Sequence, residues 1–179
     1  MPFHHTHKRG LICLSSLILL ALSSCSGRAS QCNQLISTIN RSESFVGNYE
    51  QSINQSLTQI SRAQSLEDIT AAADSYIEAV GEASDQTDLL AQDLNDLAIA
   101  DEQLSSYRDQ YASVLAQSSA ALTSARSAMQ LIADAKTEAD FGASFDTFQK
   151  QTSTAYEEIQ SADSTSSITI EELNSYCAP

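Results

Sequence analysis

The 179-residue sequence predicts an all-α protein, an up-down-up-down four-helix bundle with a short C-terminal helix. Apolar side chains recur every seven residues through most of the chain, and further apolar residues lie three or four positions away. This spacing is typical of helices that pack nearly parallel to their neighbours. The two prolines, Pro2 and Pro179, lie at the ends of the chain, and no alternating run of β-branched residues indicates a strand.

The first predicted helix runs from about Gln31 to Arg62. Gly47 lies within it and weakens it by up to about 1 kcal/mol relative to alanine. Ala63 and Gln64 then break the pattern. A seven-residue series defines the apolar face of this helix: Cys32, Ile39, Val46, Ile53 and Ile60.

The second predicted helix runs from the residue after Ser65 to about Leu97. Ser65 is a favourable N-cap, and Asp68 follows three residues later in a variant of the capping box. The same heptad spacing continues along its apolar face: Ile69, Tyr76, Ala83, Leu90 and Leu97.

The third and fourth predicted helices follow the same logic. Asp101 caps a helix that ends near Lys136, and Thr137 caps the next helix, with Asp140 at the capping-box position. A polar stretch at 163–167 is predicted to interrupt this fourth helix. The short terminal helix after it carries three core-type residues: Ile170, Leu173 and Cys177.

The first 25 residues have the character of an export signal. Lys8 and Arg9 precede an apolar run at 11–22, which is shorter than the roughly 20 residues that span a bilayer as a helix. The peptide Leu22-Ser23-Ser24-Cys25 resembles the bacterial lipobox, in which the cysteine is lipidated and becomes the mature N-terminus. The alternative is an ordinary signal peptide, cleaved near Ala21-Leu22-Ser23, which leaves Cys25 as a free thiol.

The lipobox resemblance implies three regions. Residues 1–24 are a lipoprotein signal peptide, residues 25–30 are the lipidated Cys25 and a short tether, and residues 31–179 are the helical bundle domain. Two or three acyl chains on one residue anchor a protein stably, whereas one chain does not. We therefore expect an exported, membrane-anchored lipoprotein that faces the periplasm, a thylakoid lumen or the cell surface.

Four cysteines reduce to a single pair after processing. Cys13 is in the signal and Cys25 takes lipid, which leaves Cys32 and Cys177. Exported proteins form disulfides, and an even number of antiparallel helices returns Cys177 to the end that carries Cys32. A disulfide between them would close a loop of about 145 residues and stabilise the fold by about 5 kcal/mol in the chain-entropy model. Two buried free thiols remain the alternative.

The charge of the processed chain restricts its partners. It retains seven basic and 23 acidic residues, a formal charge of −16. Such a surface repels nucleic acid and anionic lipid head groups, so we expect no nucleic-acid partner. The acids are either solvated helix faces or a surface that attracts a basic protein partner.

The sequence offers no catalytic or cofactor-binding constellation. All three histidines, His4, His5 and His7, lie in the signal, so the processed chain lacks histidine and a Glu-x-x-His di-iron site. Tyr107 and Tyr111, one helical turn apart, either pack between helices or form a recognition patch. We predict no metal, no cofactor and no enzymatic activity. Several acidic pairs lack calcium-loop spacing: Asp85/Asp88, Asp93/Asp96, Asp101/Glu102, Glu157/Glu158 and Glu171/Glu172.

Three segments carry a resemblance to small all-helical lipoproteins of cyanobacteria. They are Cys32-Asn33-Gln34-Leu35-Ile36, the run from Ala100 to Asp109, and Glu171-Glu172-Leu173-Asn174-Ser175-Tyr176-Cys177. The resemblance implies a helical fold at a membrane and transfers no catalytic residue. The favoured function is a non-enzymatic interaction or structural module. The alternatives are a small-ligand or envelope-stress sensor and an extrinsic subunit of a photosynthetic membrane complex.

Lipidation is directly testable by Cys25→Ser. Without the thiol that accepts lipid, the domain should enter the soluble exported fraction, or its processing should stop. Membrane fractionation with intact-mass analysis measures both. Normal maturation of the variant together with unchanged membrane association would contradict the anchor assignment.

Overall fold

The computed structural model describes residues 19–178, and the side chains of residues 27–42 and 45–178. It contains the helices α1 (Leu19–Ile39), α2 (Glu43–Arg62), α3 (Leu66–Asn95), α4 (Glu102–Ala133) and α5 (Glu138–Cys177). A 3₁₀ turn, Asn40–Ser42, links α1 to α2, and together they form the first arm of the bundle. No strand occurs in the part described, so the predicted all-α bundle is confirmed.

Three helices begin at the predicted capping residues. The Ser65 side chain accepts a hydrogen bond from the backbone N–H of Asp68 at 3.1 Å, and Asp101 caps α4 in the same way. Thr137 accepts from the N–H of Asp140, whose carboxylate accepts from the N–H of Thr137 at 3.0 Å. These bonds satisfy N–H groups that have no partner inside the helix, which is why the caps fix the starts of the helices.

The first arm differs from the single predicted helix at 31–62. It begins before Gln31, so the described part of the predicted tether at 25–30 is helical, and it breaks at Asn40–Ser42. Asparagine and serine favour helix interiors weakly, and the Ser42 hydroxyl donates to the Ile39 carbonyl at 2.9 Å. This side-chain bond competes with the helical ladder and allows the chain to turn.

The predicted interruption at 163–167 and the separate short C-terminal helix are wrong, because α5 is continuous to Cys177. The stretch contains no glycine or proline. The hydroxyls of Thr165 and Thr169 donate to carbonyls one turn back, at 3.0 and 2.9 Å. Ala162 and Leu173 are buried on either side, so packing holds a segment whose own helix preference is weak.

The centre of the bundle is the α3–α4 pair, which makes the most extensive helix contact. Small residues let the two helices approach, and the Ser84 and Ser119 hydroxyls lie 2.9 Å apart in a buried hydrogen bond. Apolar clusters follow along the axis, around Leu35 and Leu104 at one end and around Ile77 and Ile132 at the other. The core is thin because many of its positions are alanine.

The two outer helices of the bundle, α2 and α5, lie apart from each other. α2 packs on α3, and α5 packs on α4, but α2 and α5 approach each other at few positions. Tyr49 and Ile53 of α2 and Ile159 of α5 pack instead on a shared floor that includes Leu122. This separation leaves a cleft between α2 and α5.

A disulfide joins α1 to the last residue of α5. Cys32 and Cys177 are bonded, with their Cα atoms 5.8 Å apart and 145 positions apart in sequence. These are the two cysteines that the sequence pairs. Cys32 lies in the core with Leu35, so the cross-link closes the bundle at the end that holds the Leu35–Leu104 cluster.

The disulfide should contribute several kcal/mol to stability. Replacing Cys32 and Cys177 together by serine should lower the free energy of unfolding by about 2–5 kcal/mol, because the unfolded chain regains the freedom of a long loop. Urea denaturation of both proteins measures the difference. Peptide mapping without reduction should first recover the linked pair from exported protein. Recovery of both thiols alkylated without prior reduction would refute the bridge.

Candidate functional site

The cleft between α2 and α5 is the candidate site. It encloses 470 Å³, a volume within the range of small-molecule pockets. Helices α3 and α4 form its floor, and α2 and α5 form its two lips. Its apolar lining comes from all four helices: Phe45, Val46 and Tyr49 of α2, Ala83 of α3, Tyr111, Val114, Leu115 and Leu122 of α4, and Ile159 and Ala162 of α5.

The lips of the cleft carry negative charge. Glu50 on α2 and Asp163 on α5 are exposed carboxylates that line it, and no Lys or Arg is among the described residues lining it. The nearby hydroxyls of Thr87 and Ser118 donate to carbonyls of their own helices, at 2.8 and 3.0 Å. The charged groups that line the cleft are therefore carboxylates, which accept hydrogen bonds.

Two tyrosines on the cleft wall have hydroxyls without a hydrogen-bond partner among the described residues: Tyr49 and Tyr111. Tyr111 is only 5% exposed, but its hydroxyl oxygen is not among the fully buried unpaired atoms of the described residues, so solvent or a ligand can reach it. Burial, and then the nearby Tyr76 and Glu50, raise the pKa of Tyr49 to about 12. Tyr49 is therefore neutral near pH 7 and can both donate and accept a hydrogen bond.

The disulfide end holds a second ordered cluster, which we call the junction: Gln31, Cys32, Asp101, Tyr176 and Cys177. The side-chain amide oxygen Oε1 of Gln31 accepts from the backbone N–H groups of Ala100 and Asp101, at 2.7 and 3.1 Å. The Tyr176 hydroxyl donates to Asp101 Oδ2 at 3.0 Å. The junction thus ties α1, the α3–α4 loop and α5 together.

Cations and aromatic rings surround the junction. Arg28 lies 5.4 Å from the centre of the Tyr176 ring, and Tyr107 packs edge-on against the same ring at 6.0 Å. Arg108 donates to the Leu97 carbonyl at 2.8 Å and fixes the loop before α4. The three segments that carry the lipoprotein resemblance, 32–36, 100–109 and 171–177, meet here although they are far apart in sequence.

Electrostatics at Asp101 follow from its hydrogen bonds. The Leu104 N–H, the Tyr176 hydroxyl and the Gln103 N–H all donate to its carboxylate, and together with the Arg28 charge they lower its pKa. The bonds favour the ionised form, because a protonated carboxyl accepts them less well. The cap on α4 is therefore strongest when Asp101 is charged.

The remaining sequence-predicted residues separate into those that the structure places and those outside it. His4, His5 and His7 lie outside the described residues, and the backbone of Cys25 lies in α1 while its side chain is not described. Tyr107 and Tyr111 are buried, so they pack between helices and form no exposed patch. Ile99 packs against the core at the disulfide end.

Metal and membrane-spanning features are absent from the described part of the chain. Among the side chains that the structure describes, at 27–42 and 45–178, no group of three or more His, Cys, Asp or Glu is arranged to hold a metal ion. None of the helices in this part has the length and apolarity needed to cross a bilayer. Of the predicted acidic pair Asp93/Asp96, Asp93 forms an ion pair with Arg41 at 2.6 Å.

Sequence reasoning missed the cleft. The heptad series places Val46 on the apolar face of the first predicted helix, and Asp163 lies in the predicted interruption at 163–167. The exposed apolar residues of the cleft, such as Val46 at 40%, are visible only in the structure. Their exposure depends on how far apart the two helices lie, and no spacing in the sequence reports that distance.

Comparison of the chain with protein-family models, with curated proteins and with solved structures gives no match.

Asp101→Ala should weaken the start of α4 and the junction. We expect the free energy of unfolding to fall by about 1 kcal/mol, the usual cost of an N-cap, and the melting temperature to fall by about 2–4 °C. Asp101→Asn keeps a neutral capping side chain, so its free energy of unfolding should fall by less than that of Asp101→Ala. Thermal melts at pH 7 measure both variants.

The Asp101 contribution should also depend on pH. Because the pKa of Asp101 is lowered on folding, its contribution is complete above the unfolded value, near 3.9, and is lost as the pH falls through the folded value. The stability difference between wild type and Asp101→Ala should therefore shrink in acid. A difference that stays constant down to pH 2 would contradict this assignment.

Proposed function

We propose that this protein is an exported, lipid-anchored helical-bundle protein that acts at a membrane surface by binding and not by catalysis. The observation that carries the binding role is the apolar cleft between α2 and α5. The cleft is lined from four helices, and its two tyrosine hydroxyls have no protein partner among the described residues. Pockets of this kind, apolar with a few convergent polar groups, are typical ligand sites.

The anchoring role rests on the lipobox-like peptide that ends at Cys25. In this proposal Cys25 carries the lipid, seven residues before Cys32 in the same helix, a rise of about 10 Å. The disulfide end would then be the end nearest the membrane. Because α1 leads into the core without a flexible linker, the junction and the disulfide would hold the bundle in a fixed orientation relative to the anchored Cys25.

A second candidate is docking of a basic protein partner on the acidic surface. The formal charge of −16 after removal of the signal favours it. Attraction between exposed charges is screened over about 8 Å at 0.15 M salt, so such a complex should dissociate as salt rises. A ligand held in the apolar cleft should be retained under the same conditions.

Site-specific photocrosslinking in intact membranes tests the binding role. A photoreactive phenylalanine analogue at Val46 lies on the cleft, whereas the same analogue at Leu57 lies on α2 outside it, and the two wild-type side chains are similarly exposed. We expect a defined adduct from position 46 and little from position 57, because the ligand occupies the cleft. Mass spectrometry of the purified chain measures both.

The two candidates and the enzymatic alternative give different results. An adduct at 46 that persists after a 1 M salt wash supports the cleft, and a salt-sensitive protein complex formed independently of both positions supports the acidic surface. No specific adduct at 46 would contradict the cleft as a binding site. Hydrolytic or transfer activity of the pure protein, abolished by changing a single carboxylate, would contradict the whole proposal.

A further inference from the structure

We infer that the α2–α5 cleft selects an organic ammonium ion with an apolar body. The inference rests on the proposed binding function and adds the chemical class of the ligand. Three features of the cleft carry it: a largely apolar floor, two acidic lips without a described cation among the lining residues, and a tyrosine hydroxyl, that of Tyr111, without a partner among the described residues.

The floor of the cleft requires an apolar body. Leu115, Leu122 and Ile159 make its base largely apolar, and the Thr87 and Ser118 hydroxyls there already donate to backbone carbonyls. Burying a charged group at this base would cost several kcal/mol. The aromatic rings of Phe45 and Tyr49 line the wall beside Glu50. Aromatic faces attract cations as well as apolar groups, so they suit both parts of such a ligand.

The two acidic lips of the cleft determine the sign of the charge that a ligand can carry. Glu50 and Asp163 belong to opposite helices, so a bound anion would meet a carboxylate on either side. No described Lys or Arg lines the cleft to compensate this charge. The paired acids that repel an anion are acceptors for the N–H groups of an ammonium ion, and hydrogen bonds of this kind between charged groups are the strong ones.

The Tyr111 hydroxyl is a further point of attachment for a ligand. Tyr111 is 5% exposed and lines the cleft, and its hydroxyl makes no hydrogen bond to any described residue. The hydroxyl oxygen is not among the fully buried unpaired atoms of the described residues, so it is open to solvent and available to a ligand group. An ammonium N–H, or a hydroxyl on the ligand body, satisfies it.

A matched series of three probes tests the selection: 4-phenylbutylammonium, 4-phenylbutanol and 4-phenylbutyrate. They share one apolar body and differ in charge. Ligand-observed NMR titrations of the full-length chain in detergent micelles, corrected with empty micelles, give the three dissociation constants. We expect the ammonium probe to bind about tenfold more tightly than the carboxylate probe.

Two pairs of variants assign the selection to the cleft. Glu50→Gln with Asp163→Asn should remove most of the preference for the ammonium probe. Glu78→Gln with Glu82→Gln changes the net charge equally on exposed α3 positions outside the cleft and should leave the preference unchanged. Val46→Lys should favour the carboxylate probe, whereas Leu57→Lys on the same helix should not.

The outcomes separate the inference from the proposed function. If all three probes bind equally and Val46→Lys alters their binding, the cleft is a binding site but the ammonium selection is refuted. If the carboxylate probe binds most tightly, or if no probe binds, the inference is also refuted, and the photocrosslink at position 46 still decides the binding function. Loss of the preference in the Glu78/Glu82 control would assign it to the general surface charge and overturn the inference.

Discussion

The covalent link between Cys32 and Cys177 is the constraint on which the shape of the bundle depends. It joins the first arm to the last helix at one end, where Tyr176 and Asp101 add a hydrogen bond beside it. Elsewhere α2 and α5 approach each other at few positions. Each layer of an alanine-rich core buries little apolar surface and so contributes little stability. The disulfide adds stability by restricting the unfolded chain.

Closing the bundle at one end permits it to stay open in the middle. The 3₁₀ turn Asn40–Ser42 follows the part of α1 that is tied to α5, and Ser42 lines the beginning of the cleft. The Arg41–Asp93 ion pair links the same turn to α3. The break in the first arm therefore lies where the outer helices separate, so an irregularity of the backbone and the candidate site coincide.

Acidic residues serve several roles in this chain, and their surroundings distinguish the roles. Asp68, Asp101 and Asp140 accept hydrogen bonds from N–H groups at helix starts and order the loops, and these bonds lower the pKa of Asp68 and Asp101. Glu50 and Asp163 instead line an apolar cleft with no described cation beside it. The acidic residues that give the chain its strong negative charge thus have two roles: some order the starts of helices, and others make the cleft electrically negative.

The sequence by itself determined the helical class, three helix starts and the cysteine pair. Heptad spacing reports the face that a helix buries, and the caps Ser65, Asp101 and Thr137 act within four residues, so both signals are local. Helix parity brought Cys177 to Cys32 because antiparallel segments of similar length return the chain to one end.

Only the tertiary structure decided the break at Asn40–Ser42, the continuity of α5 through 163–167 and the existence of the cleft. Local helix preference is similar in the two polar stretches, yet one forms a 3₁₀ turn and the other stays α-helical, where Ala162, Thr169 and Leu173 are buried. The width of the cleft depends on how α2 and α5 pack on a shared floor, which is a balance among four helices. The sequence of one helix specifies which of its faces is apolar. It does not specify the distance to a neighbouring helix that it does not touch.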